Sequence, residues 1–331
     1  MILIPRGKNC EEKLIEISES SGWDGRIIDV FGTRVMALPD STLVPDALRD
    51  ICVVSRSPLY SRDFRHEDST VDVSGLTIGG GGLVIAAGPC AVESEEQIMA
   101  VAEGVKKAGC EMLRGGAFKP RTSPYSFQGL MERGLDLLAR AGQEYGLLTV
   151  SEIMDLSDYR EFQKIDMLQV GARNAQNFSL LKFLGRVKKP VLLKNGIGTT
   201  MEEWLASSEY ILSGGNDRVI LCYRGTRSLE RSTRFTMDLG TMASVKRRTH
   251  LPVCADPSHP AGNREIVKAM ALGAVAAGVD MLEIEAHIEP ERALSDADQQ
   301  VTIEMLRDIV RSARRMHQLL RTDSIAQLVH S

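Results

Sequence analysis

Ionisable side chains recur directly after short apolar runs in residues 83–331, and they divide into two chemical sets. The first set is cationic and comprises Arg114, Lys119, Arg121, Arg173, Lys194 and Arg224. Arginine binds phosphate and carboxylate groups through paired donors, and lysine supplies a compact positive charge. If the fold brings these cations together, they predict a strongly anionic ligand with more than one phosphate group.

The second set carries donors that bind metal ions. Thiolate, imidazole and carboxylate groups are available from Cys90, His259, Glu285 and Asp296. This mixture suits Mn²⁺, Fe²⁺, Co²⁺ or Zn²⁺ better than Mg²⁺. Each residue also has a structural interpretation, since cysteine for example is often a buried core residue. The choice of glutamate stays open here, because Glu283, Glu285 and His287 alternate onto the same side of a strand.

The elements that must position both sets are eight β-type runs, each followed by a segment of helical pattern. The runs cover residues 83–88, 111–118, 147–153, 167–172, 190–196, 218–225, 251–256 and 281–287. Eight βα units in roughly 250 residues favour a closed parallel (β/α)8 TIM barrel over an open sheet. The active site of such a barrel lies at the carboxyl ends of its strands. Both sets occur at these positions, together with Glu152 and Asp256.

Residues 1–60 predict a small α+β domain ahead of the barrel. An apolar start, a helical pattern, two strand-like pieces, a short helix and a last strand follow one another. This β-α-β-β-α-β order is typical of a ferredoxin-like module. Residues 61–82 are polar and end in four glycines, which indicates a linker with a short hairpin. The glycine run lacks the Lys-Ser/Thr of a phosphate-binding loop. We therefore expect a ferredoxin-like domain at 1–60, a linker at 61–82 and the α/β barrel at 83–331.

Composition restricts the class of protein. The 331 residues carry a formal net charge of -4, which argues against nucleic acid as a main partner. No run approaches the ~18 apolar residues of a membrane span, and the amino terminus turns polar too early for a signal peptide. The six cysteines are scattered and form no Cys-x-x-Cys pair, a pattern typical of reduced thiols. We expect a soluble cytoplasmic protein without a membrane partner.

Several motifs, spread over essentially the whole chain, point to one enzyme family. They are AGPCAVES, LRGGAFKPRTSPYSFQG, GARNAQN, LLKNG, DPSHPAG and EPERALSDADQQ. Together they resemble the motifs of type I 3-deoxy-D-arabino-heptulosonate 7-phosphate (DAHP) synthases. The likeness is greatest to the members that carry a ferredoxin-like domain ahead of the barrel.

The resemblance implies a metal-dependent condensation of phosphoenolpyruvate with erythrose 4-phosphate. It implies one divalent metal ion, with Cys90, His259, Glu285 and Asp296 as ligands, where the Glu-x-His context selects Glu285. The residues implied to bind phosphoenolpyruvate are Arg114, Lys119, Arg173, Lys194 and Arg224, and Glu152 is a further substrate contact. Arg121 and Thr122 would hold the aldose phosphate. The catalytic residues would be Lys119, Asp256 and His259. Lys119 would donate a proton to the aldehyde oxygen, and Asp256 would lie close to the aldose hydroxyls.

The resemblance also implies regulation and assembly. An aromatic amino acid, tyrosine or phenylalanine, would bind the amino-terminal domain and inhibit the enzyme. The enzyme would be a homo-oligomer, specifically a tetramer. Two positions depart from the family pattern. Tyr223 stands where an acidic residue is expected ahead of Arg224, and Ile288 stands where proline is expected. Tyr223 puts local pKa tuning or substrate preference in question.

Three alternatives compete with this interpretation. The sister enzyme, 3-deoxy-D-manno-octulosonate 8-phosphate synthase, uses arabinose 5-phosphate, but its aldose motif resembles KANRSS and not the KPRTS found at 119–123. A Schiff-base aldolase would use Lys194 with a lowered pKa, and the metal-binding set argues against it. A small-molecule sensor would keep the barrel only as a scaffold, and intact candidates at all eight strand ends argue against that.

Overall fold

The computed structural model describes residues 1–23, 25, 27–120 and 123–329, with side chains described as far as residue 322 except at residue 47. Arg121 and Thr122, the predicted contacts to the aldose phosphate, lie outside the described residues. Within these ranges, no helix combines the length and apolar character that crossing a bilayer requires.

The amino-terminal unit is a four-stranded antiparallel sheet covered by one helix. Its elements are β1 (Ile2–Pro5), α1 (Lys8–Ser20), β2 (Ile27–Val30), β3 (Thr33–Ala37), a 3₁₀ helix (Asp46–Asp50) and β4 (Cys52–Ser55). The strand order is β2-β3-β1-β4, and the chain order matches the predicted ferredoxin-like unit. The short helix expected near residue 48 is 3₁₀ and not α-helical, because five residues gain too few i→i+4 hydrogen bonds to repay nucleation.

The predicted hairpin in residues 61–82 closes one end of the barrel. It consists of β5 (Val71–Val73) and β6 (Leu76–Ile78). Val71, Val73 and Ile78 are buried against residues inside the barrel, among them Met112 and Met281. Met112 and Met281 each begin a barrel strand. The hairpin therefore plugs the amino-terminal end of the barrel and leaves the carboxyl end open.

Eight parallel strands form the closed barrel that the sequence predicts. The strands are β7 (Val84–Gly88), β8 (Met112–Arg114), β9 (Leu148–Glu152), β10 (Met167–Val170), β11 (Val191–Lys194), β12 (Val219–Tyr223), β13 (Val253–Ala255) and β14 (Met281–Glu285). The barrel closes where β14 pairs with β7, in a register that places Glu285 opposite Gly88. Most strand residues are buried on both faces because helices cover the outside of the barrel.

The covering layer follows the βα alternation. Its helices are α2 (Glu95–Ala108), α3 (Met131–Tyr145), a 3₁₀ helix (Leu156–Lys164), α4 (Phe178–Leu184), α5 (Met201–Leu212), α6 (Leu239–Arg248), α7 (Ser258–Ala261), α8 (Arg264–Ala276) and α9 (Ile303–Val329). Local sequence signals set the residues at which several of these helices begin or end. A capping box between Thr200 and Glu203 starts α5, and Gly109 at φ 86° ends α2.

The amino-terminal sheet contacts the barrel at the end opposite the open mouth. The backbone N–H of Phe31 donates to Asp217 at 2.8 Å, just before β12. The Phe31 ring meets His250, just before β13, edge to face at 4.7 Å between centroids. Residues that precede strands lie at the amino-terminal end of a parallel barrel, so this contact leaves the strand carboxyl ends uncovered.

Candidate active site at the carboxyl end of the barrel

The carboxyl ends of the strands surround a cavity of about 280 Å³. The predicted site residues that line it are Arg114, Lys119, Glu152, Arg173, Lys194, Arg224, His259, Glu285 and Asp296. They come from distant parts of the chain and meet because all eight strands end at one rim. The barrel thus brings the described members of the cationic set into one cavity with His259, Glu285 and Asp296, and Cys90 lies buried next to Glu285 and Asp296.

Arg114 is neutralised by buried carboxylates under the cavity. Its Nη1 donates to Glu285 Oε1 at 2.5 Å, and its Nε lies 3.7 Å from Glu283 Oε1. Burial acts to lower the pKa of Arg114, but Glu285 and Glu283 reverse that effect and raise it. The guanidinium is therefore held in position by ion pairs that exist before any ligand binds.

Lys194 lies between two buried carboxylates. Its Nζ is 2.6 Å from Asp256 Oδ2 and 2.7 Å from Glu283 Oε2. Although burial opposes it, the attraction of Asp256 and Glu283 raises the pKa of Lys194 well above its usual range. A Schiff-base aldolase needs a neutral amine, so this environment disfavours that alternative for Lys194.

Arg224 and Arg173 keep their positive charge for a ligand. Arg224 is 5% exposed, and among the described residues no carboxylate lies within ion-pair distance of it. Arg173 is exposed at the rim of the same cavity. Unneutralised guanidinium groups at a cavity wall are suited to an anionic group such as phosphate.

Cys90, Glu285 and Asp296 form a group that could hold a metal ion. One ligand atom from each lies within 4.8 Å of the others. The fourth predicted ligand, His259, is outside this group, with its Nε2 3.8 Å from Glu285 Oε1. The structure also separates the two candidate glutamates, since Glu285 joins this group whereas Glu283 pairs with Lys194.

The donor set suits a divalent transition metal. One thiol, two carboxylates and a nearby imidazole match the soft and intermediate ligands that such ions prefer. Burial, and then the charge of Glu285, raise the pKa of the Cys90 thiol to about 12. Lys119 Nζ lies 3.1 Å from Cys90 Sγ and 2.7 Å from the Cys90 carbonyl oxygen. A cation at this point would stabilise the thiolate that burial otherwise disfavours.

Asp256 orients its neighbours and does not line the cavity. Its Oδ2 accepts hydrogen bonds from Lys194 Nζ and from His259 Nδ1, each at 2.6 Å. Burial acts against ionisation, but His259 and Lys194 lower the pKa of Asp256 well below its usual range. With Nδ1 so engaged, the Nε2 of His259 is the nitrogen left for a ligand. A contact between Asp256 and the aldose hydroxyls stays a prediction.

Glu152 reaches the cavity because its neighbour is glycine. A Cβ atom on Gly171 would lie 1.9 Å from Glu152 Oε1, so no larger residue is compatible with this position of the carboxylate. Gln169 Nε2 lies 3.4 Å from Glu152 Oε2. The carboxylate thus lies across the ends of β9 and β10, next to the cations of the cavity.

Several residues that line the cavity were not predicted. Among them are Gln169, Arg234 and Phe235. Arg234 Nη1 donates to Asp296 Oδ1 at 3.2 Å and to Gln299 Oε1 at 2.6 Å. The sequence signal for Arg234 is the basic stretch RSTRFTMD after the sixth strand, whereas the apolar Phe235 offers no signal of its own.

Comparison with known proteins agrees with this geometry. The model of the DAHP synthetase I family matches residues 65–322. The chain is 39% identical to a phospho-2-dehydro-3-deoxyheptonate aldolase of Thermotoga maritima, over 96% of this chain and 97% of that protein. It is 31% identical to a 2-dehydro-3-deoxyphosphooctonate aldolase of Syntrophotalea carbinolica, over 72% of this chain and 92% of that protein.

Two solved structures show the same fold. The crystal structure of the Thermotoga maritima DAHP synthase superposes with a TM-score of 0.79 at 38% identity and covers 96% of this chain and 97% of that one. A truncated form of the Thermotoga maritima enzyme superposes with a TM-score of 0.74 at 40% identity and covers 79% of this chain and 97% of that one.

Proposed function

The chain belongs to the DAHP synthetase I family and has the activity of a DAHP synthase, and from this premise we propose that it condenses phosphoenolpyruvate with erythrose 4-phosphate in the barrel cavity. The observation that carries the proposal is the union of two features in one cavity. Cations of the predicted cradle line it, and the group Cys90, Glu285 and Asp296 lies at its edge. The sister reaction with arabinose 5-phosphate is the alternative.

Each proposed step uses a charge that the structure positions. Arg173 and Arg224 bind the anionic groups of phosphoenolpyruvate, while Arg114 and Lys194 are fixed beneath by carboxylates. Carbon 3 of the enol phosphate attacks the aldehyde carbon, and Lys119 gives a proton to the aldehyde oxygen. Water then adds at carbon 2 and gives one proton back to the neutral Lys119 amine. Phosphate leaves with cleavage of its bond to carbon 2 and takes up the second proton, so that carbon 2 becomes a ketone.

We propose a divalent ion, Mn²⁺, Fe²⁺, Co²⁺ or Zn²⁺, as the cofactor. Its ligands would be Cys90, His259, Glu285 and Asp296. When bound, such an ion polarises a carbonyl oxygen or lowers the pKa of a water molecule. The support is the donor chemistry of Cys90, Glu285 and Asp296 and the orientation of His259 by Asp256.

A substrate assay tests the proposed reaction. Purified protein with a divalent metal is mixed with phosphoenolpyruvate and with either erythrose 4-phosphate or arabinose 5-phosphate. We expect loss of enol phosphate absorbance and release of one phosphate per condensation with erythrose 4-phosphate. Equal or faster turnover with arabinose 5-phosphate would reject the assignment in favour of the sister enzyme.

Arg173→Ala tests the cationic cavity within the same assay. Arg173 is exposed at the rim, so its removal leaves no buried carboxylate unpaired, as removal of Arg114 would. Loss of a positioned charged donor commonly costs ~10²–10³ in rate, and we expect kcat/KM for phosphoenolpyruvate to fall by about that factor. Arg140→Ala, on the outer helix α3 and paired with Glu95, is the matched control. Equal kinetics for the two variants would contradict the role of Arg173.

We propose that residues 1–60 form a regulatory domain that binds tyrosine or phenylalanine, within a cytoplasmic homo-oligomer, specifically a tetramer. The support is that this unit has its own sheet and its own buried cluster, which includes Leu3, Leu14 and Leu48. It contributes no described residue to the cavity at the strand carboxyl ends. A unit that is folded but not needed for chemistry is available for regulation.

A further inference from the structure

Among the described residues, Arg224 is the buried cation of the cavity that has no carboxylate within ion-pair distance. Carboxylates neutralise Arg114 and Lys194. Within the described residues, Nη1 of Arg224 is buried without a hydrogen-bond partner. A buried guanidinium N–H left unpaired carries a desolvation cost. Since no described carboxylate pairs with it, the position of this side chain depends on its other contacts.

One such contact is made with the ring of Phe235. The guanidinium carbon of Arg224 lies 4.0 Å from the centroid of the Phe235 ring, and that of Arg234 lies 5.8 Å from it. A cation over the face of an aromatic ring is attracted by the ring quadrupole. The ring accepts no hydrogen bond from the in-plane guanidinium N–H groups and does not neutralise the positive charge. A carboxylate partner would accept such hydrogen bonds and would neutralise the charge.

The loop that carries Phe235 is held firmly. The backbone N–H of Phe235 donates to the Pro260 carbonyl at 3.1 Å, and Thr226 and Thr236 exchange backbone hydrogen bonds at 3.1 and 2.9 Å. Gly225 permits this closure, because its φ is +80° and a Cβ there would lie 3.1 Å from Phe235 Cβ. The ring is therefore a fixed surface against which Arg224 can stack.

We propose that Phe235 is a positioning residue that holds the guanidinium of Arg224 flat, so that its in-plane N–H groups face the anionic group of phosphoenolpyruvate. The inference rests on the proposed function, because it assigns Phe235 to the same cavity and the same substrate. It extends that function from the cations themselves to the aromatic side chain that orients one of them.

The test compares Phe235→Leu with Phe235→Tyr. Leucine keeps apolar bulk without a ring face, and tyrosine keeps the face. A cation–π contact of about 0.5–2 kcal/mol corresponds to about 2- to 30-fold in affinity. We expect Phe235→Leu to raise KM for phosphoenolpyruvate by that factor, with kcat and KM for erythrose 4-phosphate changed less than about twofold. Phe235→Tyr should restore the wild-type KM. Calorimetric titration with phosphoenolpyruvate alone should show the same change in Kd.

Two controls separate positioning from general damage to the loop. Leu229→Ala changes a fully exposed residue of the same loop and should leave all constants unchanged. In an Arg224→Met background, Phe235→Leu should have little further effect on KM for phosphoenolpyruvate, since the stacked partner is gone. An equal effect in both backgrounds, or a tyrosine variant as impaired as the leucine variant, would overturn the inference.

The outcomes also separate this inference from the proposed function. A wild-type protein that does not consume phosphoenolpyruvate overturns both. An active wild-type protein whose KM for phosphoenolpyruvate is unchanged by Phe235→Leu overturns only the role of Phe235. Phe235 is half-buried, so the leucine variant should fold, and its thermal midpoint is measured beside the kinetics.

Discussion

Cys90 carries the one thiol among the predicted metal ligands, and no other side chain type supplies the same donor. It is fully buried, lies 3.4 Å from Asp296 Oδ2 and 3.1 Å from Lys119 Nζ, and has no exposed surface on which a free thiol could act. A small apolar residue would fill such a position in a core equally well. Cys90 differs from such a residue because its Sγ and one oxygen each of Glu285 and Asp296 lie within 4.8 Å of one another, which a purely structural cysteine does not need.

Cys90→Ala should abolish both metal binding and turnover, because a methyl group cannot coordinate. We expect metal content at background after dialysis against Mn²⁺, and at least ~10²-fold lower turnover, since a bound metal contributes directly to the stabilisation of developing charge. Metal analysis and the substrate assay measure the two effects. Cys10→Ala, on α1 and outside the site, is the matched control and should match the wild type. Full activity of Cys90→Ala in strong chelator would refute the four-ligand assignment.

Among the contacts between secondary-structure elements, those of one side chain just before β13 connect three segments of the chain. His250 is 1% exposed, its Nδ1 lies 2.8 Å from Ser69 Oγ, and its Nε2 lies 2.7 Å from the Leu59 carbonyl oxygen. The Phe31 ring packs against it. The barrel, the connecting segment and the amino-terminal sheet therefore meet at this imidazole.

The stability of this junction should depend on pH. Burial lowers the pKa of His250 below its usual 6.5, Arg65 and Arg62 act in the same direction, and the bond to the Leu59 carbonyl and the charge of Asp68 act against it. The unfolded chain therefore takes up the proton first as pH falls. The stability contributed by neutral His250 is present above about pH 6.5 and is lost as pH falls through the folded-state pKa.

His250→Gln isolates this effect, because glutamine keeps a donor and an acceptor but does not titrate. Urea unfolding between about pH 8 and pH 5 measures the free energy of unfolding of both proteins. At the upper end the variant should be less stable by about 1–3 kcal/mol through imperfect buried hydrogen bonds. The difference in free energy of unfolding between the two proteins should become smaller towards about pH 5, because only the wild type loses the contribution of neutral His250. Parallel curves for the two proteins would show that the pKa of His250 is the same in the folded and unfolded states.

At the scale of the whole molecule, the amino-terminal unit and the catalytic cavity lie at opposite ends of the barrel. Phe31 contacts Asp217 and His250 ahead of their strands, whereas the cavity is formed where the strands end. In this arrangement the unit cannot cover the mouth of its own barrel. The regulation that we propose for this unit would therefore require a change in its docking, or contact with the barrel of another subunit in the proposed oligomer.

Deleting residues 1–56 should leave an active enzyme that no longer responds to tyrosine or phenylalanine. The cut spares Leu59 and Ser69, the partners of His250, which a deletion through residue 70 would remove. A coupling of ~1–3 kcal/mol corresponds to ~5–150-fold inhibition of the full-length chain. Turnover with millimolar amino acid measures the response of both forms. A full-length enzyme indifferent to tyrosine, phenylalanine and tryptophan would end the regulatory proposal and leave the catalytic one standing.

The order of the elements and the residue types at the strand ends can be predicted from the sequence. Short apolar runs alternate with helical patterns, and this local signal predicts each of the eight barrel strands. It also places ionisable residues after them. Because parallel strands that close into a barrel must end at one rim, the meeting of these residues at one mouth follows from the pattern alone.

Which of these residues contact one another follows from the folded chain and not from the sequence pattern. Glu283 and Glu285 share one face of β14, and the register of β14 with β7 brings Glu285 to Cys90 and leaves Glu283 with Lys194. The contact of Arg224 with the Phe235 ring and the contact of Phe31 with His250 likewise cannot be predicted from the sequence. Periodicity fixes the side of an element on which a residue lies, whereas distances between elements depend on register, loop closure and packing of the whole chain.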